Sequence, residues 1–219
     1  MSTYNELVTE LQNKLNRTDC TTTLAGYFVN DSIRRIERAV RLPCMERQLI
    51  VTATGTMDYI MVPPDLLQIR GVLGPSMDPN NTIGLPLKKI DFDQLLRLPR
   101  LNAWPRYWAR EQNQIYVRGA ATTGQAITLR YYGQFSPFTP ASGSTDPGTG
   151  TNEISLIAPD LITFGALSFA GDYFEHPKAA DWLTAYNGLL EEVQQIGDTL
   201  ENDGGPTAVQ RMYGEGWME

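Results

Sequence analysis

Apolar positions along the first forty residues recur at helical spacing. Tyr4, Leu7, Val8, Leu11 and Leu15 fall three and four apart, which places them on one stripe of an amphipathic helix with Ser2 or Thr3 as its cap. Residues 16–23 are rich in Asn, Thr and Asp, which satisfy free backbone donors at turns. Leu24, Phe28, Ile33, Ile36 and Val40 then resume the helical period, and this second helix is predicted to end before Pro43. From Gln48 the period changes to two. Leu49-Ile50-Val51-Thr52 and Tyr59-Ile60-Met61-Val62 flank Ala53-Thr54-Gly55-Thr56, a pattern that predicts a β-hairpin stopped by Pro63-Pro64. Asp65-Leu66-Leu67 predicts one short turn, Ile69 to Leu73 a strand, and Asp91 to Leu98 a short helix with Asp91 as N-cap.

Residues 104–110, 114–118 and 126–132 read as three successive strands of one antiparallel sheet. The alternation is clearest where Ile127, Leu129 and Tyr131 share a face. Residues 136–153 repeat Pro, Gly, Ser and Thr without an apolar stripe and predict a mobile loop. A third helix follows Pro159, and a fourth begins at Pro177 and carries Leu183, Tyr186, Leu190, Val193 and Leu200. Asn202-Asp203-Gly204-Gly205-Pro206 ends it, leaving an extended tail, 204–219, that is aromatic but has no period. The order predicts an α+β fold. Its expected form is an antiparallel helical bundle of two N-terminal and two C-terminal helices (1–47 and 154–203), with an inserted antiparallel β-sheet region (48–135), a flexible loop (136–153) and the tail.

Charge divides the 219-residue chain unevenly. Residues 1–47 are net +1 and 48–135 net +3, whereas 136–219 hold two Lys/Arg against thirteen Asp/Glu, net −11. A surface so acidic repels phosphate, which excludes tight DNA binding through that third and suits DNA that must slide past it. Arg34, Arg35, Arg38 and Arg41 form a basic face on the second helix, with Glu37 interleaved, and intersubunit pairing is its expected use. Cys20 and Cys44 match no metal or redox spacing and are expected to be buried free thiols. No apolar run reaches the ~18 residues a membrane span needs, and Met1-Ser2-Thr3-Tyr4-Asn5-Glu6 has neither region of a signal peptide. The expected location is the cytoplasm or a particle assembled there.

Catalytic signatures are missing. The single histidine, His176, directly precedes Pro177 at a helix start, where a turn or cap role is expected, and Ser155 and Ser168 carry no nucleophile motif. Gly71-Val72-Leu73-Gly74 lacks the residues of a phosphate-binding loop. The pairs Asp91/Asp93 and Glu191/Glu192 suit a helix cap and a solvated helix face better than a glycosidase. No catalytic, cofactor or metal site is therefore expected. A tail-associated cell-wall hydrolase and a receptor- or carbohydrate-binding tail protein are the alternatives; the first would show zymogram activity dependent on one carboxylate, the second would expose Trp104, Tyr107 and Trp108. Those aromatics are expected in a core or an interface.

The succession of segments resembles the head-to-tail adaptor (connector or head-completion) proteins of tailed bacteriophages. The resemblance runs from the second helix to the fourth. It rests on the strand from Tyr59 entering Val62-Pro63-Pro64-Asp65-Leu66, on Pro86-Leu87 leading into Asp91 to Leu96, on Pro105-x-Tyr107 followed by Ile115-x-Val117, on the closing strand Ile127 to Tyr132, and on Pro159-Asp160-Leu161 with Gly165-Ala166-Leu167. The chain departs from the family pattern at Ala103, Gln112-Asn113 and Gly119-Ala120-Ala121. The resemblance implies a structural virion protein, not an enzyme, assembled in the host cytoplasm as a cyclic ring below the portal, expected to be a dodecamer. Helices would surround a DNA channel and the sheet would face outward or toward tail or nozzle proteins. Arg211, Met212, Tyr213, Trp217 and Met218 lie where no helix remains to bury them, and the family's similar C-terminal extensions make them the expected portal-binding residues.

Overall fold

A computed structural model describes residues 2–53, 57–75, 84–99, 105–121, 124–138 and 147–202. These residues divide into two compact units, one formed by 1–43 with 136–219 and the other by 44–135. The fold is α+β, with six α-helices and two sheets.

The first unit is helical. Helix α1 (Tyr4–Leu15) begins with a reciprocal capping box: the Thr3 hydroxyl accepts from the Glu6 amide at 3.3 Å, and the Glu6 carboxylate accepts from the Thr3 amide at 2.9 Å. It ends at Asn16 in the left-handed region (φ 50°), a conformation that a short polar side chain tolerates. Helix α2 (Thr22–Ala39) is capped by Thr21. Helix α3 (Phe92–Arg97) belongs to the other unit. A five-residue helix, α4 (Glu153–Ile157), starts with a capping box between Asn152 and Ser155 that the hydrophobic period does not reveal. Helix α5 (Pro159–Tyr173) has Pro at its first turn, and α6 (Ala179–Asn202) begins two residues after Pro177.

Helix α5 contacts α1, α2, α4 and α6. Leu161, Ile162, Thr163, Ala166, Leu167 and Ala170 are all buried on it, so α5 is apolar nearly all round, as a central helix must be. The unit thus has five helices where four were expected. Close approach depends on Gly165: a Cβ there would overlap the Ser32 hydroxyl of α2 and lie 3.0 Å from the Tyr186 ring of α6. The Ser32 hydroxyl instead donates to the Ile162 carbonyl at 3.0 Å.

The expected loop 136–153 is anchored at both ends. Ser136 donates through its amide and hydroxyl to the Glu153 carboxylate at 2.9 and 2.6 Å, the Phe138 ring meets Tyr4 edge-on, and Pro147–Thr149 forms a 3-10 turn. The Gly150 carbonyl accepts from the Tyr4 amide, and Asn152 is buried. Fixed backbone hydrogen bonds hold these ends without an apolar stripe; the middle of the expected loop, 139–146, lies outside the described residues.

The second unit contains seven strands in two sheets, not the one sheet expected. Strands β1 (Glu46–Thr52), β7 (Ala126–Gly133) and β3 (Leu66–Leu73) form an antiparallel sheet in the order β1-β7-β3. The other sheet runs β2 (Met57–Met61), β6 (Gln114–Ala121), β5 (Tyr107–Glu111), β4 (Lys88–Lys89), with β4 parallel to β5. The predicted hairpin of 49–52 with 59–62 does not form, because β1 pairs with β7 (Leu49 opposite Leu129, Val51 opposite Ile127) and β2 pairs with β6. The expected third strand of 104–132 likewise leaves its neighbours, since β5 and β6 pair while β7 joins the other sheet. The turn expected at 65–67 is shorter, and β3 starts at Leu66.

Facing residues of the two sheets share one apolar cluster. Ile127, Leu129 and Tyr131 of β7 and Val72 of β3 meet Ile60 of β2, Ile115 and Val117 of β6 and Trp108 of β5. Alternation places these residues on the facing sides of a sandwich, while β7, the middle strand of its sheet, also buries Thr128 and Tyr132 on its other side. Helix α3 (Phe92–Arg97) packs beside β5, and its last carbonyls are held by the Arg118 guanidinium, which donates to Leu96 at 3.0 Å and to Leu98 at 2.6 and 2.9 Å. Asp91 occupies its N-cap position, but the Asp91 side chain makes no capping hydrogen bond.

Candidate functional site

His176, Ser155 and Ser168 each make a local structural contact. The His176 amide donates to the Gly171 carbonyl at 2.8 Å, its Nδ1 accepts from the Lys178 amide at 3.2 Å, and its ring stacks on Trp182 at 4.6 Å. That geometry joins α5 to α6. Ser155 closes the α4 cap, and the Ser168 hydroxyl donates to the Gly165 carbonyl at 2.7 Å, so neither serine faces a base. Asp91, Asp93, Glu191 and Glu192 are exposed. Among the described residues no group of His, Cys, Asp and Glu is arranged to hold a metal ion. Cys20 is buried, Cys44 is half-buried, and neither forms a disulfide; burial raises the Cys20 thiol above its ordinary pKa.

The four arginines of α2 and its end divide into two pairs. Arg35 lies over the Tyr186 ring at 4.8 Å, and Arg41 donates to the carbonyls of Glu37 and Val40 at 2.7 and 2.6 Å, so both make contacts within the chain. Arg34 and Arg38 are exposed, and Arg34 makes only a 3.7 Å ion pair with Asp31. Helical spacing places all four on one side of a helix, but it does not distinguish the two that turn inward. Tyr186 itself is fully buried, and among the described residues its hydroxyl has no hydrogen-bond partner. Burial raises its pKa, with Arg35 and Arg38 opposing.

Of the aromatics weighed for binding, Trp108 is buried in the sandwich and Tyr107 is half-buried, while Trp104 lies outside the described residues. The tail residues Arg211, Met212, Tyr213, Trp217 and Met218 also lie outside them. Tyr131 of the sandwich donates from its hydroxyl to Asp65 at 3.2 Å, and Asp65 in turn pairs with Arg47 at 3.2 Å. Burial first, then the Asp65 charge, pushes the Tyr131 hydroxyl above its usual pKa.

Two surface features escaped the periodicity. One is an aromatic cluster, in which the Tyr116 ring of β6 meets Phe92 of α3 at 5.0 Å and Tyr59 of β2 at 5.8 Å. The other is a groove of about 590 Å³ that follows β3, the last strand of its sheet, and reaches across to Trp108, Lys89 and Arg110. Its parts come from 67–73, 86–89 and 108–110, so only tertiary pairing assembles them.

Among the described residues the arrangement offers interaction surfaces. The two units also differ in charge, since 44–135 is net +3 and the remainder net −10. No helix among the described residues is long and apolar enough to cross a membrane. No curated protein matches the chain. A family model described as SU10 adaptor protein matches residues 2–210. A match spanning both units and every strand and helix described here places the chain in the SU10 adaptor family of phage head-to-tail adaptor proteins.

Proposed function

We propose that this phage virion adaptor forms a closed ring below the portal, joins the head to tail or nozzle proteins, and continues the channel through which DNA passes. The observation that carries the reading is the family match over 2–210, covering both units of a chain whose charge is split between them. In a ring each copy presents different surfaces to its two neighbours, so the interface is heterologous and closes by rotation. An acidic helical unit and a basic β unit give such an interface complementary faces. The ring is a dodecamer matching the portal. Its net −11 C-terminal third lets DNA slide without adhering.

Arg34 and Arg38 serve contacts with the neighbouring copy, because they are the two arginines of the α2 face exposed to solvent. The tail anchors the ring to the portal: Met212, Tyr213, Trp217 and Met218 supply apolar anchors and Arg211 pairs with an acidic rim. Each aromatic anchor contributes ~2 kcal/mol, repeated around the ring. The test cuts the chain after Gly205 and mixes it with purified portal. Loss of binding by a truncated chain that keeps its circular dichroism spectrum is the expected result; undiminished binding removes the tail from the anchor.

A further inference from the structure

Strand β3 ends its sheet, and a groove runs along it. On its inner side β3 pairs with β7. Among the described residues, backbone pairing on its outer side is found at its last residues: Leu73 bridges Pro86, and the Leu87 amide donates to the Val72 carbonyl at 2.8 Å. Among the described strands none pairs with β3 there before that point. An uncovered strand edge presents backbone donors and acceptors in a row, the geometry that an added strand completes.

The groove is also charged in one sense. Arg70, Lys89 and Arg110 line it, and among the described residues no carboxylate does. Arg70 is paired with Glu46, but Lys89 and Arg110 make no ion pair among the described residues. Lys89 lies 5.7 Å from the centroid of the Trp108 ring, which forms part of the groove wall. The six residues before that point, 66–71, span about 20 Å at ~3.3 Å per residue, with register irregularities against β7 at 66/68 and 69/71, so two or three alternate side chains of a partner can reach these cations.

We propose that this groove is a docking site for an extended, acidic peptide segment of a partner protein, which adds to β3 as a strand. Backbone pairing supplies the orientation, and carboxylates on alternate positions meet Lys89 and Arg110. A nucleic acid would use the same cations but has no use for the strand edge, so the peptide is the better fit. The inference rests on the groove alone and stands or falls independently of the ring.

The test uses the full chain and an acetylated, amidated eight-residue peptide alternating Glu and Thr. A Lys/Thr peptide, the Glu/Thr peptide with alternate backbone nitrogens methylated, and a DNA duplex serve as comparisons. Calorimetry reads affinity, and hydrogen exchange reads protection of residues 66–73. The expected result is binding of the acidic peptide alone, with slower exchange in 66–73, and loss of at least about tenfold in affinity for K89E/R110E at an unchanged melting temperature. Methylation should abolish binding. Equal binding of acidic and basic peptides, or binding that survives methylation, would overturn the proposal. So would preference for DNA, or no binding at millimolar peptide, in which case the cations only guard an open edge.

Discussion

Replacing Gly165 by Ala isolates the packing of α5 from its intrinsic helicity. In an unconstrained helix the change stabilises by about 1 kcal/mol, because Gly pays more backbone entropy. Here the new methyl would overlap the Ser32 hydroxyl and lie 3.0 and 3.1 Å from two carbons of the Tyr186 ring. Neither neighbour yields freely, since Tyr186 is fully buried and Ser32 is tied to the Ile162 carbonyl. Overpacking in a core costs about 1–3 kcal/mol, and displacing the Ser32 hydroxyl forfeits another ~1 kcal/mol. The expected net is a loss of about 1–3 kcal/mol. Gly188 on α6 is the control: a Cβ there meets nothing within 4 Å, so G188A should gain up to ~1 kcal/mol. The two substitutions are chemically identical and should have opposite signs. Urea unfolding followed by circular dichroism measures both, and S32A/G165A should recover part of the loss through coupling of ~1 kcal/mol. If G165A stabilises as much as G188A, the three-helix contact at Gly165 is not as close as described.

Three further outcomes follow from the described contacts. Y186F removes a buried hydroxyl that lacks a partner and leaves the ring under Arg35, so thermal unfolding should show no loss and a gain of up to ~1 kcal/mol. Tyr131, Tyr186 and Tyr4 all have raised hydroxyl pKa values, with burial the leading cause in each. Because the folded values exceed the unfolded ones, their contribution is fully present below about pH 10 and is lost as pH rises through the folded values; ultraviolet titration should show their ionisation displaced upward on folding, and Y131F should weaken the alkaline decline in stability. R41A should cost ~1 kcal/mol by uncapping the end of α2, measurable by urea unfolding, whereas R34E/R38E should leave subunit stability within ~0.5 kcal/mol and abolish assembly on the portal, measured by sedimentation.

Helices proved legible where one face carries the whole signal. Tyr4 to Leu15 announces α1 because its apolar residues sit on one stripe, whereas its cap is narrowed by sequence only to Ser2 or Thr3, and the reciprocal bonds with Glu6 select Thr3. Helix α4 was not legible, since five residues are too few for a period and its cap uses Asn152 with Ser155 in place of the familiar acidic partner. Strand positions were also readable from alternation, as at Ile127, Leu129 and Tyr131, but alternation says which face a residue takes and not which strand lies alongside. Leu49 pairs with Leu129 across 80 positions while the nearby Tyr59 pairs with Tyr116, so the sequence-local hairpin lost to contacts made at long range. The α2 arginines show the same limit at a site: Arg35 and Arg41 are withdrawn by Tyr186 and by two carbonyls that no spacing rule locates. The β3 groove depends on three separate segments and had no sequence signal beyond its scattered Lys and Arg.

The central claim is assembly of this adaptor on the portal, and native mass spectrometry of the two purified proteins tests it most directly. Alone at micromolar concentration the chain should run near its 24.5 kDa monomer mass. Mixed with portal it should add one closed ring, a mass increment of as many copies as there are portal subunits, with no intermediate occupancy persisting at saturation. A portal that gains no mass, or that gains copies without reaching a fixed number, would contradict the account.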